Sequence, residues 1–175
     1  MSASLNVGTA AANRIIVVAG ASQGSAAIGT VTVNSVSCTI DATFGSSFVA
    51  SCPGSSFGSG TQTIVATWAS GSFQARGFSV WVASNMTSTT VVQHVAQNTS
   101  ATLGVTANDF MFAAVNVSGA SVPWTGGTTQ SPSNTQTINA STNFSADWTI
   151  ASTNASFTLN PNAANQNSFA AATYH

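Results

Sequence analysis

Polar and apolar residues alternate one by one along most of this chain, and a two-residue period commits a chain to extended, paired strands. Thr30-Val31-Thr32-Val33-Asn34 and Val36-Ser37-Cys38-Thr39-Ile40-Asp41 show it most plainly. Successive side chains of a strand point to opposite faces, so alternation gives one face to a core and one to solvent. Thr61 to Trp68, Phe78 to Val82, Thr89 to Val95, Ala101 to Thr106, Phe110 to Val117, Phe144 to Ile150, Phe157 to Leu159 and Phe169 to Tyr174 extend the series. Each is short, β-branched or aromatic, and bounded by Gly, Ser, Asn or Pro. No stretch carries apolar residues at i, i+3, i+4 and i+7 for three turns, and Ala170-Ala171-Ala172 is too brief to found a helix. About ten to twelve short strands at this spacing predict an all-β fold, an antiparallel two-sheet β-sandwich of jelly-roll or immunoglobulin-like type.

The length, 175 residues, suits one well-buried core, so a single domain over residues 1–175 is expected. Gly20 to Gly29, Pro53 to Gly60 and Trp124 to Asn134 read as loops at the ends of the sandwich, and no internal repeat stands out. Ile15-Ile16-Val17-Val18-Ala19 and Phe110-Met111-Phe112-Ala113-Ala114-Val115 are continuously apolar, the pattern of central strands covered on both faces. A second sheet can cover one face and a loop or neighbouring subunit the other. A single thick core is the simpler expectation.

Charge narrows the function. Arg14, Asp41, Arg76, Asp109 and Asp147 are the only charged side chains, 3% of the chain against about 25% in an ordinary soluble domain. Two arginines cannot supply the counterion displacement that holds a phosphate backbone, so nucleic acid is excluded as a partner. A polybasic membrane anchor fails for the same reason, and no apolar run reaches the length of a membrane-spanning helix. Residues 1–7 lack the basic and apolar segments of a secretory leader, and use without secretion is expected. The six Asn-x-Ser/Thr sequons are near chance in so Asn-, Ser- and Thr-rich a chain. A surface of Ser, Thr, Asn, Gln, Gly and Ala gives little repulsion between copies and suits a part packed into an assembly.

The reactive inventory is thin: three Asp, two His, two Cys and one Tyr. Asp109 follows Ala107-Asn108 as in an ordinary turn, Asp41 ends a strand, and Asp147 sits in a β-like run. His94 lies within a strand and His175 is terminal; no Gly-x-Ser-x-Gly elbow supports a triad. No catalytic, cofactor-binding or metal-binding residue is therefore assigned. Cys38 and Cys52 flank the turn-like Phe44-Gly45-Ser46-Ser47 and could face each other across two strands. A disulfide and a pair of small buried thiols both remain open. Trp68 and Trp81 lie within strands and read as core. Trp124, in the loop-like Pro123-Trp124-Thr125-Gly126-Gly127, is the candidate contact with a partner, its alternative role being to plug the end of the sandwich.

The order of segments Asn13 to Ala19, Ile28 to Val33, Gly60 to Trp68, Arg76 to Trp81 and Ala107 to Ala114 resembles the β-sandwich modules, jelly-roll or immunoglobulin-like, of tailed-bacteriophage structural proteins and some bacterial surface proteins. The resemblance covers roughly Leu5 to Val117 and carries no catalytic residue. It implies a non-enzymatic virion protein, a capsid decoration protein that contacts other virion proteins and stabilises the shell. A homo-oligomer is expected, a trimer by the symmetry of icosahedral shells. The alternative it leaves is a tail-fibre or surface adhesin module that binds carbohydrate.

Overall fold

A computed structural model describes residues 1–24, 26–69, 73–97, 100–117, 124, 128–139, 143–161 and 166–175. Fifteen strands lie among them. The first eight are β1 (Ser2–Asn6), β2 (Ile15–Gly24), β3 (Ile28–Val33), β4 (Val36–Ser37), β5 (Thr39–Phe44), β6 (Ser47–Pro53), β7 (Thr61–Trp68) and β8 (Phe73–Ala83). The remainder are β9 (Val91–Gln97), β10 (Ala101–Val105), β11 (Phe110–Val117), β12 (Asn134–Asn139), β13 (Asn143–Thr149), β14 (Asn154–Leu159) and β15 (Gln166–Tyr174). The one helical element described is a single 3-10 turn at Gly54–Ser56. The fold is all-β and every pairing is antiparallel.

The strands form four sheets in the orders β1-β7-β3-β4, β5-β6-β2-β8, β12-β13-β11-β15-β9 and β10-β14. Side-chain alternation stacks them as four layers. On β2, Ile16 and Val18 point to Val31, Val33, Ile64 and Trp68 of the first outer sheet. Its other residues, Ile15, Val17 and Ala19, point to Phe112, Ala114, Ala170 and Ala172 of the second inner sheet. On β11 the opposite parity, Met111, Ala113 and Val115, faces Phe157 and Leu159 of the second outer sheet. The expected single core is thus three apolar layers. The two continuously apolar runs are the centres of the two inner sheets, and each sheet covers the other's second face.

A repeat that the residues conceal is plain in the topology. The inner order β5-β6-β2-β8 recurs as β12-β13-β11-β15, and the outer pair β1-β7 recurs as β10-β14. Strand β9 then adds a fifth member to the second inner sheet, against β15. Equivalent positions carry different chemistry. Arg14 precedes β2 and donates to the carbonyls of Val7, Thr9 and Gly58, stacking on Phe57 with its guanidinium carbon 4.9 Å from the ring centroid. Asp109 precedes β11 and accepts from the Thr106 amide at 2.8 Å. Both are buried, and each fastens the loop before its central strand.

Cys38 and Cys52 form a disulfide, with Cα atoms 4.6 Å apart. Cys38 lies where the chain leaves the first outer sheet, its amide bonded to Val31 O at 2.9 Å, and Cys52 is in β6 of the inner sheet. The bridge therefore ties two layers together beside the crossover. Its loop of about 15 residues sets the expected contribution at about 2–4 kcal/mol. A Cys38→Ala, Cys52→Ala double variant should lose that much unfolding free energy in urea, with reductant doing the same to the wild type. Equal stability with and without the bridge would refute this.

Candidate functional site

All five charged side chains are turned to internal fastenings. Besides Arg14 and Asp109, Arg76 lies over Trp68 with its guanidinium carbon 5.6 Å from the ring centroid. Asp147 accepts from Trp81 Nε1 at 3.1 Å and from Asn134 Nδ2 at 3.2 Å. Asp41 accepts from the Tyr174 hydroxyl at 2.7 Å. Three of the five are buried and two half-buried, so among the described residues the outer surface is made mainly of hydroxyls, amides and apolar groups.

That surface is most regular on the first outer sheet. Its solvent face presents Ser4, Asn6, Thr30, Thr61, Thr63 and Thr67. Ser4 lies opposite Thr63, Asn6 opposite Thr61 and Thr30 opposite Thr67, so paired polar groups flank β7 on both sides. Asn34 fixes one corner, accepting from the Thr63 amide at 2.8 Å and donating to Gln62. Such a face offers hydrogen-bonding groups and close contact, with little on which ions can act.

Titratable groups gather between the inner sheets. A recess of about 190 Å³ is lined by Thr39, Asp41, Ser51, Pro53, Thr89, Thr90 and Val91. Burial holds the Asp41 carboxyl above the ordinary carboxylate range, opposed by hydrogen bonds from Tyr174 and Ser51 and by the nearby His94. Burial likewise pushes the Tyr174 phenol well above its usual range, and the Asp41 carboxylate beside it acts in the same direction. His94 is exposed on β9. His175 does find a carboxylate: its Nδ1 lies 2.6 Å from Asp109 Oδ1, with the imidazole 41% exposed and Asp109 1%. This is an orienting pair, and among the described residues no hydroxyl or thiol is bonded to that imidazole.

Trp124, expected as a partner contact, is interior. It is 3% exposed, stands edge-on to Trp148 at 5.1 Å between centroids, and meets Phe169 at 5.9 Å. Its amide donates to Pro161 O at 3.2 Å. The ring fills the core between the second inner and outer sheets, which is the plugging role its loop also allowed. Its loop neighbours 118–123 and 125–127 lie outside the described residues. Sequence reading missed the Asp41–Tyr174 bond, which joins residues 133 apart; no local pattern signals such a pair. No protein family, curated protein or solved structure matches this chain.

Two expectations follow. Folded Asp41 keeps its proton to higher pH than the unfolded chain does, so its ionisation costs folding free energy as pH climbs from about 4 through the raised value and nothing further above it. Asp41→Asn keeps an acceptor for Tyr174 and removes that cost. Its stability relative to wild type should rise from about pH 3 toward neutrality; a difference that is flat with pH in urea unfolding would overturn the assignment. Trp124→Ala should cost about 3–5 kcal/mol of stability as a core truncation. An unchanged unfolding midpoint would return Trp124 to the surface.

Proposed function

We propose that the protein is a non-enzymatic structural component of a bacteriophage virion, a decoration protein on the capsid exterior. The observation that carries this is that all five charged side chains are engaged within the chain, Arg14, Asp41 and Asp109 buried and Arg76 and Asp147 half-buried, which leaves a hydroxyl-rich outside with little charge. Each copy lays the Ser/Thr/Asn face of its first outer sheet across neighbouring shell subunits. Many weak contacts made together then stabilise the lattice. The Cys38–Cys52 bridge suits a protein that works outside a reducing cytoplasm.

Carbohydrate adhesion, the alternative, draws on exposed rings as stacking platforms. Among the described residues Phe44, at 39%, is the exposed aromatic, and the other exposed large apolar side chains are Met1, Val36 and Val92. The geometry gives adhesion no comparable support.

Attachment through such a face should survive salt. At about 1 M the Debye length falls to about 3 Å, which silences ion pairs at the surface and leaves burial and hydrogen bonding in place. Particles washed at that ionic strength should retain the protein, and imaging should find it at lattice positions on the shell. Release by moderate salt, or a location away from the shell, would overturn the proposal.

A further inference from the structure

The internal repeat exposes an asymmetry at one sheet edge. In the second half, β15 is flanked by β11 on one side and by β9 on the other, and Phe169, Ala170, Ala171, Ala172, Thr173 and Tyr174 are all fully buried. The counterpart of β15 in the first half is β8, which pairs with β2. Among the described residues no strand lies along its other edge. Phe78, Ser79, Val80, Trp81 and Val82 are accordingly only half-buried, although they face the same two cores as their counterparts.

Natural sheet edges are blunted by lysine, proline, bulges or shortness. Three other edges follow that rule: β4 has two residues, β5 is bulged between Ile40 and Ala42, and β12 between Thr137 and Asn139, whereas the β1 edge is short and polar but regular. Strand β8 does not. Its register with β2 runs unbroken from Arg76 to Ala83, without proline or lysine.

We propose that the β8 edge pairs antiparallel with the β8 edge of a second copy, across a two-fold axis near Val80. Strand β9 supplies the template, since an uncharged antiparallel strand is what covers the equivalent edge in the other half. A two-fold pairing is self-complementary by construction. With Val80 on the axis, Phe78 faces Val82, an aromatic and β-branched cross-strand pair of the kind that stabilises sheets, and Ser79 faces Trp81. The one charge, Arg76, falls opposite Ser84, leaving the two arginines about 27 Å apart at strand rise. In the adjoining layer β12 packs over β8, with Ile138 against Gly77, so an axis normal to the layers brings the two β12 edges together as well. An edge pairs with an edge, so the unit is a dimer where shell symmetry suggests a trimer. The pairing belongs to the chain itself and does not depend on the virion reading.

Sedimentation velocity over a wide dilution series tests it on three full-length proteins. The wild type should be a dimer that dissociates on dilution. A second form carries a copy of residues 91–100 fused ahead of Met1, so that its own chain supplies the missing strand to β8; it should be monomeric at every concentration and unfold no earlier than wild type. Val80→Lys places like charges across the axis and should weaken dimerisation at least about tenfold with an unchanged circular dichroism spectrum. A wild type that stays monomeric, or forms trimers, overturns the proposal, as does a fused-strand form that dimerises as the wild type does. Should Val80→Lys fail to fold, the fused-strand form decides.

Discussion

The seam between the two inner sheets is the interaction on which the rest of the molecule depends. Each half alone would be a thin sandwich with a wide apolar face uncovered. Ile15, Val17 and Val49 on one side and Phe112, Ala114, Ala170 and Ala172 on the other remove that face from water in both halves at once. The alanines let the sheets approach, and Trp81, Phe112 and Tyr174 form a chain of rings across the gap, with centroids 5.4 and 5.9 Å apart. Apolar contact alone would allow one sheet to slide over the other. Directional bonds oppose this: Tyr174 to Asp41, Trp81 to Asp147, Ser145 to Ser79 at 2.8 Å, and the Ser47–Ser168 hydroxyl pair at 2.7 Å. Buried polar groups cost free energy unless bonded, so these pairs fix a register as well as fastening it.

The same seam accounts for the unusual surface. Two of the three aspartates bond across it, the third orients the loop before β11, and Arg14 performs that last task in the first half. With so little charge at the surface, contact with water rests on hydroxyls and amides. Such a surface discriminates weakly by electrostatics and discriminates by shape and donor–acceptor pattern instead. A molecule of this kind suits repeated, fixed contacts better than transient encounters steered by charge.

How much of this was legible in the sequence follows from how local each signal is. Thr61 to Trp68 and Phe110 to Val117 could be read to their observed bounds, because alternation or a sustained apolar run, closed by turn residues, is a local signal. Strands β1 and β12 went unread, since Ser2–Asn6 and Asn134–Asn139 are polar edge strands with little apolar patterning. The loop expected over Gly20 to Gly29 is strand as far as Gly24. Trp124 shows the other limit. Trp124 itself lies in a turn, but nothing in Pro-Trp-Thr-Gly-Gly names Trp148 and Phe169, the rings against which the indole packs. The repeat escaped notice because only topology and burial are kept between the halves, while a carboxylate stands in one where a guanidinium stands in the other.

That divergence shows what the shared topology requires. Both halves need a buried hydrogen-bonding group just before the central strand, because the incoming loop must be folded down over the end of the sandwich. Arg14 satisfies this need by donating to three carbonyls, and Asp109 by accepting from an amide and meeting His175. Donor and acceptor solve the same problem because a loop presents both carbonyls and amides. The choice then propagates. The first half adds a disulfide and the β3–β4 extension to its outer sheet. The second, whose described outer sheet has two strands, adds β9 to its inner one and draws the chain's last residue into the Asp109 contact. Among the described residues one inner sheet is thereby five strands wide and the other four, and β8 is left with a strand on one side.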